Sequence, residues 1–260
     1  MVSRHDRESR PSERPLVSAV TVFYNRGSLV DESIGSLLRQ TCSNLEVIAV
    51  DDGSSDDTRR RLEAIMDRRL RVVSHPNQGF TSSMRQAIAL ARGPLVAVHG
   101  AGDISLPERL RRQADLMQAD TELGVVGCHF ENRDETTGKT ETFTPQLRRD
   151  AHAELVRQNP FSHGEVMFRR SVYDAVGGYR PFFMMAQDRD LWLRMSHRTA
   201  FAILPETLYI RRQLAGGIRR SNLLRARQML YSEFAMHCDA ARGPAGDPLD
   251  RLGNAAALVF

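Results

Sequence analysis

Short apolar runs recur along the first half of the chain, each followed by a turn rich in Gly, Asn, Asp or Pro and then by an amphipathic stretch. Residues 16–23, 47–50, 70–74 and 95–98 are apolar at nearly every position, the pattern of strands buried on both faces. Between them, 29–39 places Leu29, Ile34, Leu37 and Leu38 at helical spacing. The stretches 58–68, 82–91 and 107–117 read as further helices. The order is β-α-β-α-β-α-β-α, which predicts an α/β fold with a mostly parallel, doubly wound sheet and flanking helices.

Right-handed crossovers place the loops 24–27, 51–57, 75–79 and 99–103 along one sheet edge, where open α/β sheets bind their ligands. The most informative of these is Asp51-Asp52-Gly53-Ser54-Ser55-Asp56-Asp57-Thr58, which joins a buried strand to a helix start. Asp56 or Asp57 suits the helix cap. An ordinary capped βα turn accounts for the stretch as well as a binding loop does.

The second half is more mixed. A strand is expected at 125–130, a polar hairpin or loop at 131–144, a short helix at 151–157, and a strand turning into a helix from 166 to Gly177-Gly178. Residues 188–196 are amphipathic, 219–238 read as one long helix, and 243–250 as a linker before an apolar tail. The polar residues 1–14 are expected to form a disordered arm. The main domain then runs from 15 to 218, divided into 15–118 and 119–218, and 219–260 forms a C-terminal helix and tail.

Charge is near balance, with 36 basic and 32 acidic residues and a net +4. Lys139 is the only lysine. An arginine-rich chain suits oxyanion recognition, although base composition of the coding sequence produces the same bias. There is no basic stripe with interleaved aromatics, so no nucleic-acid partner is expected. Cys42, Cys128 and Cys238 lack metal-ligand spacing and read as buried thiols of a reducing, cytoplasmic compartment. No apolar run reaches the ~20 residues of a membrane span. Peripheral contact with the inner membrane face through the basic stretch 219–227 fits the charge pattern.

Several motifs in series resemble one family, the inverting family 2 glycosyltransferases of the GT-A fold. They are Phe23-Tyr24-Asn25-Arg26, Arg39-Gln40-Thr41, Val50 to Thr58, Asn77-Gln78-Gly79, Arg92-Gly93, Phe168-Arg169-Arg170-Ser171 leading to Gly177-Gly178-Tyr179, and Gln187 to Arg194. The resemblance runs from about Pro15 to Arg212. It implies a nucleotide-sugar half followed by an acceptor half. The donor is expected to be a UDP-type sugar nucleotide and the acceptor a hydroxyl, in a pathway such as polysaccharide biosynthesis.

By the same resemblance, the nucleotide falls to Val22, Tyr24, Asn25, Asp51, Asp52, Asn77, Gly79, Arg85 and His99. Asp188 is the implied general base. His163, Gln187, Trp192, Arg211 and Arg212 fall to the acceptor or the diphosphate.

The chain departs from the family at His99-Gly100-Ala101-Gly102-Asp103, where Gly100 and Gly102 replace the usual metal-binding carboxylates. Glycine offers no side-chain ligand to Mg²⁺ or Mn²⁺. Three arrangements fit: Asp103 alone holds a cation with the diphosphate and water; basic groups such as His99, Arg85, Arg211 or Arg212 replace the metal; or the chain is a nucleotide-sugar or glycan-binding module without turnover. An NAD-binding domain is disfavoured, since no Gly-x-Gly-x-x-Gly follows the first strand.

Overall fold

The computed structural model describes residues 14–214 and 221–252. The expected disordered arm (except Arg14), the start of the long helix at 219–220 and the apolar tail lie outside the described residues.

The first half alternates as expected: β1 (Val17–Phe23), a 3₁₀ turn at Gly27–Leu29, α1 (Val30–Leu38), β2 (Leu45–Asp52), α2 (Thr58–Ala64), β3 (Leu70–His75), α3 (Phe80–Leu90), β4 (Leu95–Gly100), the short β5 (Ile104–Ser105) and α4 (Arg109–Ala119). The second half contains β6 (Leu123–Asp134), β7 (Thr140–Phe143), α5 (His152–Arg157), β8 (Met167–Arg169), α6 (Arg170–Ala175), α7 (Gln187–Ser196), β9 (Ala200–Gln213), α8 (Asn222–Ala240) and α9 (Pro248–Leu252).

The described strands form one mixed sheet in the order β3-β2-β1-β4-β8-β6-β9-β5, with β7 paired to β6. The β3-β2-β1-β4 portion is parallel, and β8 runs antiparallel to both β4 and β6. Every residue of β1 and β2 is buried, as their unbroken apolar pattern requires. Side chains alternate between faces with period two. Val20, Val22, Ile48, Val50, Val96 and Val98 therefore pack with Met84 and Ile88 of α3 and Leu191 and Trp192 of α7. Ala19, Phe23, Val47, Ala49 and Ala97 pack on the other face with Ile34 and Leu37 of α1 and Leu110 and Met117 of α4. Each fully buried large aliphatic side chain contributes about 1.5–3 kcal/mol.

Gln40 closes α1 as expected and also stitches it to the next layer. Its Nε2 donates to the Leu106 carbonyl at 2.8 Å, and its Oε1 accepts from Leu110 N at 2.9 Å.

Three expectations need correction. The helix at 58–68 stops at Ala64, because Ile65 is extended and Asp67 accepts from Arg69 N at 2.9 Å to form a turn. The strand expected at 125–130 runs from Leu123 to Asp134, since its polar end pairs in parallel with β9, Glu131 opposite Ile210 and Asn132 opposite Arg211. The linker at 243–250 instead leads into α9. There Asp247 Oδ1 accepts from Leu249 N and Asp250 N, while its carboxylate receives Arg180.

Candidate active site

The carboxyl-edge loops are joined by direct hydrogen bonds. Asn25 N donates to Ser54 Oγ at 2.9 Å, Asn25 Oδ1 accepts from Ser55 N at 2.8 Å, and Gly27 N donates to Asp56 Oδ2 at 3.0 Å. Asn25 takes a left-handed φ of 50°, a conformation asparagine tolerates. Asp56 also accepts from Thr58 N at 2.9 Å, so it, rather than Asp57, satisfies the start of α2.

Asp51 and Asp52 differ sharply. Asp52 accepts from Gln78 N, Gly79 N and Ser83 Oγ at 2.9, 3.1 and 2.9 Å. Its carboxylate therefore anchors the loop before α3. Asn77 is likewise engaged, donating from Nδ2 to Asp52 O at 2.9 Å. Asp51 accepts one bond, from Ser54 N at 3.3 Å; its other oxygen has no partner among the described residues. Tyr24, 51 % exposed, directly follows Phe23, which pairs with Asp51, while the Val22 side chain packs in the core.

Past β4 the loop closes on itself. Asp103 is buried: Oδ2 accepts from the Tyr209 hydroxyl at 2.6 Å and Oδ1 from Arg212 N at 2.9 Å. Burial raises the Asp103 carboxyl pKa above its ordinary value. The Tyr209 oxygen in turn accepts from Gly100 N at 2.9 Å. A side chain at Gly100 would collide with the Asp103 carboxylate, its Cβ lying 2.9 Å from Asp103 Cγ. At Gly164 a Cβ would lie 2.8 Å from Tyr209 Cζ. The space that a metal-binding carboxylate would use at position 100 is thus filled by Asp103 and Tyr209. Asp103 is thus the one carboxylate this loop offers, each of its oxygens already accepts a hydrogen bond, and the usual carboxylate set for a divalent ion is incomplete here.

His99 does not serve as a phosphate-binding cation. It is wholly buried, with Nε2 2.9 Å from Ser33 Oγ and Nδ1 3.2 Å from Ser105 Oγ. Burial, reinforced by the charge of Arg109, lowers its pKa to about 3, so it is neutral near pH 7. Arg85 is also displaced from the expected site: it donates to the Tyr179 carbonyl and lines a groove with Arg170 and Tyr173. Arg212 is held by Glu135 at 2.7 Å and Glu32 at 2.7 Å. Arg211 lies near enough to Asp103 for its charge to act on that carboxyl.

Away from these loops, α7 carries Asp188 and Asp190 in its first turn. Asp190 is buried and fully used: Oδ2 receives Arg194 at 2.5 and 3.1 Å, and Oδ1 faces Arg180 at 3.4 Å. Asp188 accepts a single hydrogen bond, from Asn159 Nδ2 to Oδ2 at 2.8 Å, which leaves Oδ1 without a partner among the described residues. It opens into a cleft of about 670 Å³, lined also by Asn159, Arg189, Arg225, Ser232 and Glu233. Gln187 begins α7, half-buried beside it.

His163, at φ 81°, has its Nε2 2.6 Å from the Tyr179 hydroxyl and its ring edge-on to Phe80 at 5.7 Å. Burial lowers the His163 pKa, opposed by the Asp188 charge. Phe80 starts α3, directly after the loop held by Asp52, so His163 links that loop to Tyr179 and feels the charge of Asp188. Trp192 is placed differently from expectation. It is fully buried, packing on Phe161 and Phe168 behind His163, so its ring lies in the core.

Sequence reasoning missed Asn159, Tyr209 as a partner of Asp103, and Arg109. Arg109 is fully buried, donates to Val98 O and Ser105 Oγ at 2.7 Å each, and stacks 4.8 Å over the Tyr209 ring. Arg109 lies in a charged helix and Asn159 in a loop, so no local pattern singles out either.

The family model for glycosyl transferase family 2 matches residues 18–184, stopping just short of Asp188. An uncharacterized glycosyltransferase of Haemophilus influenzae is 27% identical over 75% of this chain and 64% of its own length. The putative glycosyltransferase EpsE of Bacillus subtilis is 30% identical over 69% of this chain and 66% of its own. The chain thus spans just under two thirds of these relatives. Among solved structures, the Pyrobaculum calidifontis mannosyltransferase PcManGT, in complex with GDP-Man and Mn²⁺, superposes with a TM-score of 0.66 at 22% identity, covering 95% of this chain and 72% of that one. The 1–349 fragment of S. aureus TarS with UDP-GlcNAc gives 0.65 at 16% identity, covering 85% and 71%. Both likenesses establish the GT-A fold.

Proposed function

Because the chain belongs to glycosyl transferase family 2, we propose that it moves a hexosyl group from a nucleoside-diphosphate sugar to a hydroxyl acceptor with inversion. The observation that carries this reading is the contrast within α7: Asp190 is consumed by arginines, whereas Asp188 keeps one oxygen unpaired and facing a cleft. An oxygen so placed can take the acceptor proton as the hydroxyl attacks the anomeric carbon. The bond from that carbon to the diphosphate oxygen breaks on the opposite face, and the nucleoside diphosphate leaves. Asp51 and Tyr24 receive the nucleotide, and Arg211 meets the charge growing on the diphosphate. No step is assigned to a divalent ion, since Gly100 and Gly102 leave Asp103 as the one carboxylate of that loop. UDP sugars are the first donors to try.

Incubating the protein with a panel of nucleotide sugars and hydroxyl acceptors, with and without EDTA, tests the proposal. Transfer that survives chelation and gives the inverted anomer by NMR supports it. Nucleotide binding without turnover for any donor supports instead a binding module, a reading favoured by the locked Asp103. Turnover that stops on chelation and returns with Mn²⁺ or Mg²⁺ but not with Zn²⁺ refutes the metal-free form.

A peripheral membrane contact belongs to the same proposal. Leu223 and Leu230 of α8 are each 70% exposed and one heptad apart, with Arg227 between them. Cosedimentation with anionic vesicles, lost in Leu223→Ser/Leu230→Ser, is the expected result; equal binding by both proteins refutes it. No helix among the described residues is long and apolar enough to cross a membrane.

A further inference from the structure

At the far end of α7 from Asp188, three side chains from separate helices converge. His152 begins α5, His197 caps the C-terminus of α7 and Asp239 lies near the end of α8. Each offers one ligand atom, and these atoms lie within 4.8 Å of one another. His197 Nε2 is 2.7 Å from Asp239 Oδ1, and His152 Nε2 is 3.4 Å from Asp239 Oδ2. The Asp239 side chain is only 5% exposed, while the two imidazoles reach solvent. No arginine or lysine pairs with that carboxylate among the described residues.

The hydrogen bonds around Ser196 fix the tautomer of His152. The Ser196 hydroxyl donates its one proton to the Leu193 carbonyl at 2.8 Å. Its oxygen therefore accepts from His152 Nδ1–H at 2.9 Å. A neutral His152 then presents a bare Nε2 lone pair to a carboxylate oxygen, an acceptor facing an acceptor. A cation between them removes the conflict. An imidazole held by its other nitrogen while Nε2 points at the centre is the arrangement that orients metal-bound histidines.

The geometry points to a divalent metal site of the His₂Asp type at this junction, suited to Zn²⁺ or a similar late first-row ion. Two imidazoles and one carboxylate favour such ions over Mg²⁺ or Ca²⁺, and a fourth position is left for water. The site lies outside the Asp188 cleft and does not depend on the transfer reading. Its role is to fasten α8 to α5 and α7. Because Gln228, Ser232 and Glu233 of α8 line the cleft, the ion steadies the wall opposite Asp188.

The test uses the full chain, stripped with EDTA and titrated with Co²⁺, then with competing Zn²⁺. One equivalent of Co²⁺ is expected, with the intense visible bands of a low-coordinate ion that Zn²⁺ abolishes, and Zn²⁺ raises Tm in a concentration-dependent way. His152→Gln and His197→Gln lose the bands, and Ser196→Ala weakens binding by about 10–100-fold. A wild-type chain that takes up neither ion overturns the proposal, and so do bands that persist in both histidine variants. The wild-type titration decides the matter even if a variant fails to fold. Transfer is not read, so failure here leaves the transfer proposal standing.

Discussion

Asp188 and Asp190 sit two positions apart on one helix, and their partners give them opposite fates. Motif resemblance implies the first as base, and the ion pairs of the second explain the division. Asp188→Asn should lower turnover by about 10²–10⁴-fold, the usual contribution of a positioned base, with nucleotide affinity nearly unchanged by calorimetry; full turnover in the variant would remove the assignment. His99 illustrates what the sequence hid. A histidine beside glycines reads as a phosphate ligand, yet two serines from other elements enclose it. Its folded pKa, about 3, lies below the ordinary value near 6.5. The unfolded chain therefore binds more protons between those values, and stability is lost as pH falls from about 6.5 toward 3. A tenfold difference in proton affinity between the folded and unfolded chain corresponds to ~1.4 kcal/mol. Urea unfolding across that range should show a shallower acid slope in His99→Gln than in the parent. The glycine at 100 was visible as a missing ligand, but Tyr209, which fills the space, lies more than a hundred residues away. Gly100→Asp should therefore cost about 1–3 kcal/mol by overpacking and confer no Mn²⁺ affinity by calorimetry. Mn²⁺-stimulated transfer in that variant would contradict the locked loop.

At the scale of elements, the parallel half was readable because β1, β2 and β4 are buried on both faces and admit mainly apolar residues. The other half was less so. β9 escaped notice because its burial is irregular and Pro205-Glu206 interrupts it, and its register against β6 shifts at Cys128–Phe130. Strand pairing, rather than residue propensity, holds its polar end. The Asp51-Asp52 turn was legible as a motif, whereas the allocation of work between its two acids was not, because it depends on the amides of Gln78 and Gly79. Asp52→Ala leaves those amides and Ser83 without their acceptor. A loss of about 1–3 kcal/mol is expected, together with faster hydrogen exchange at residues 77–80. Unchanged exchange there would show that the carboxylate does not hold the loop.

Across the whole molecule, the C-terminal segment is tied to the acceptor wall. Arg180 meets Asp247 at 2.5 Å and Asp250 at 3.0 Å while also facing Asp190 on α7. Charge and composition gave no hint of this tie, since arginines and aspartates are common throughout the chain. Buried ion networks cost several kcal/mol to break from one side. Asp247→Ala should accordingly destabilise the fold by about 3–5 kcal/mol by urea unfolding, and a change below about 0.5 kcal/mol would mark the contact as superficial. The tie bears on the proposed transfer because Arg180 also faces Asp190 on α7, the helix that supplies Asp188. A crystal structure of the chain with a bound UDP sugar tests this arrangement most directly. The account predicts the base beside Tyr24 and Asp51, the diphosphate toward Arg211 with no ion on Asp103, and the anomeric carbon facing the Asp188 cleft. A nucleotide seated elsewhere, or a divalent ion coordinated by Asp103, would contradict it.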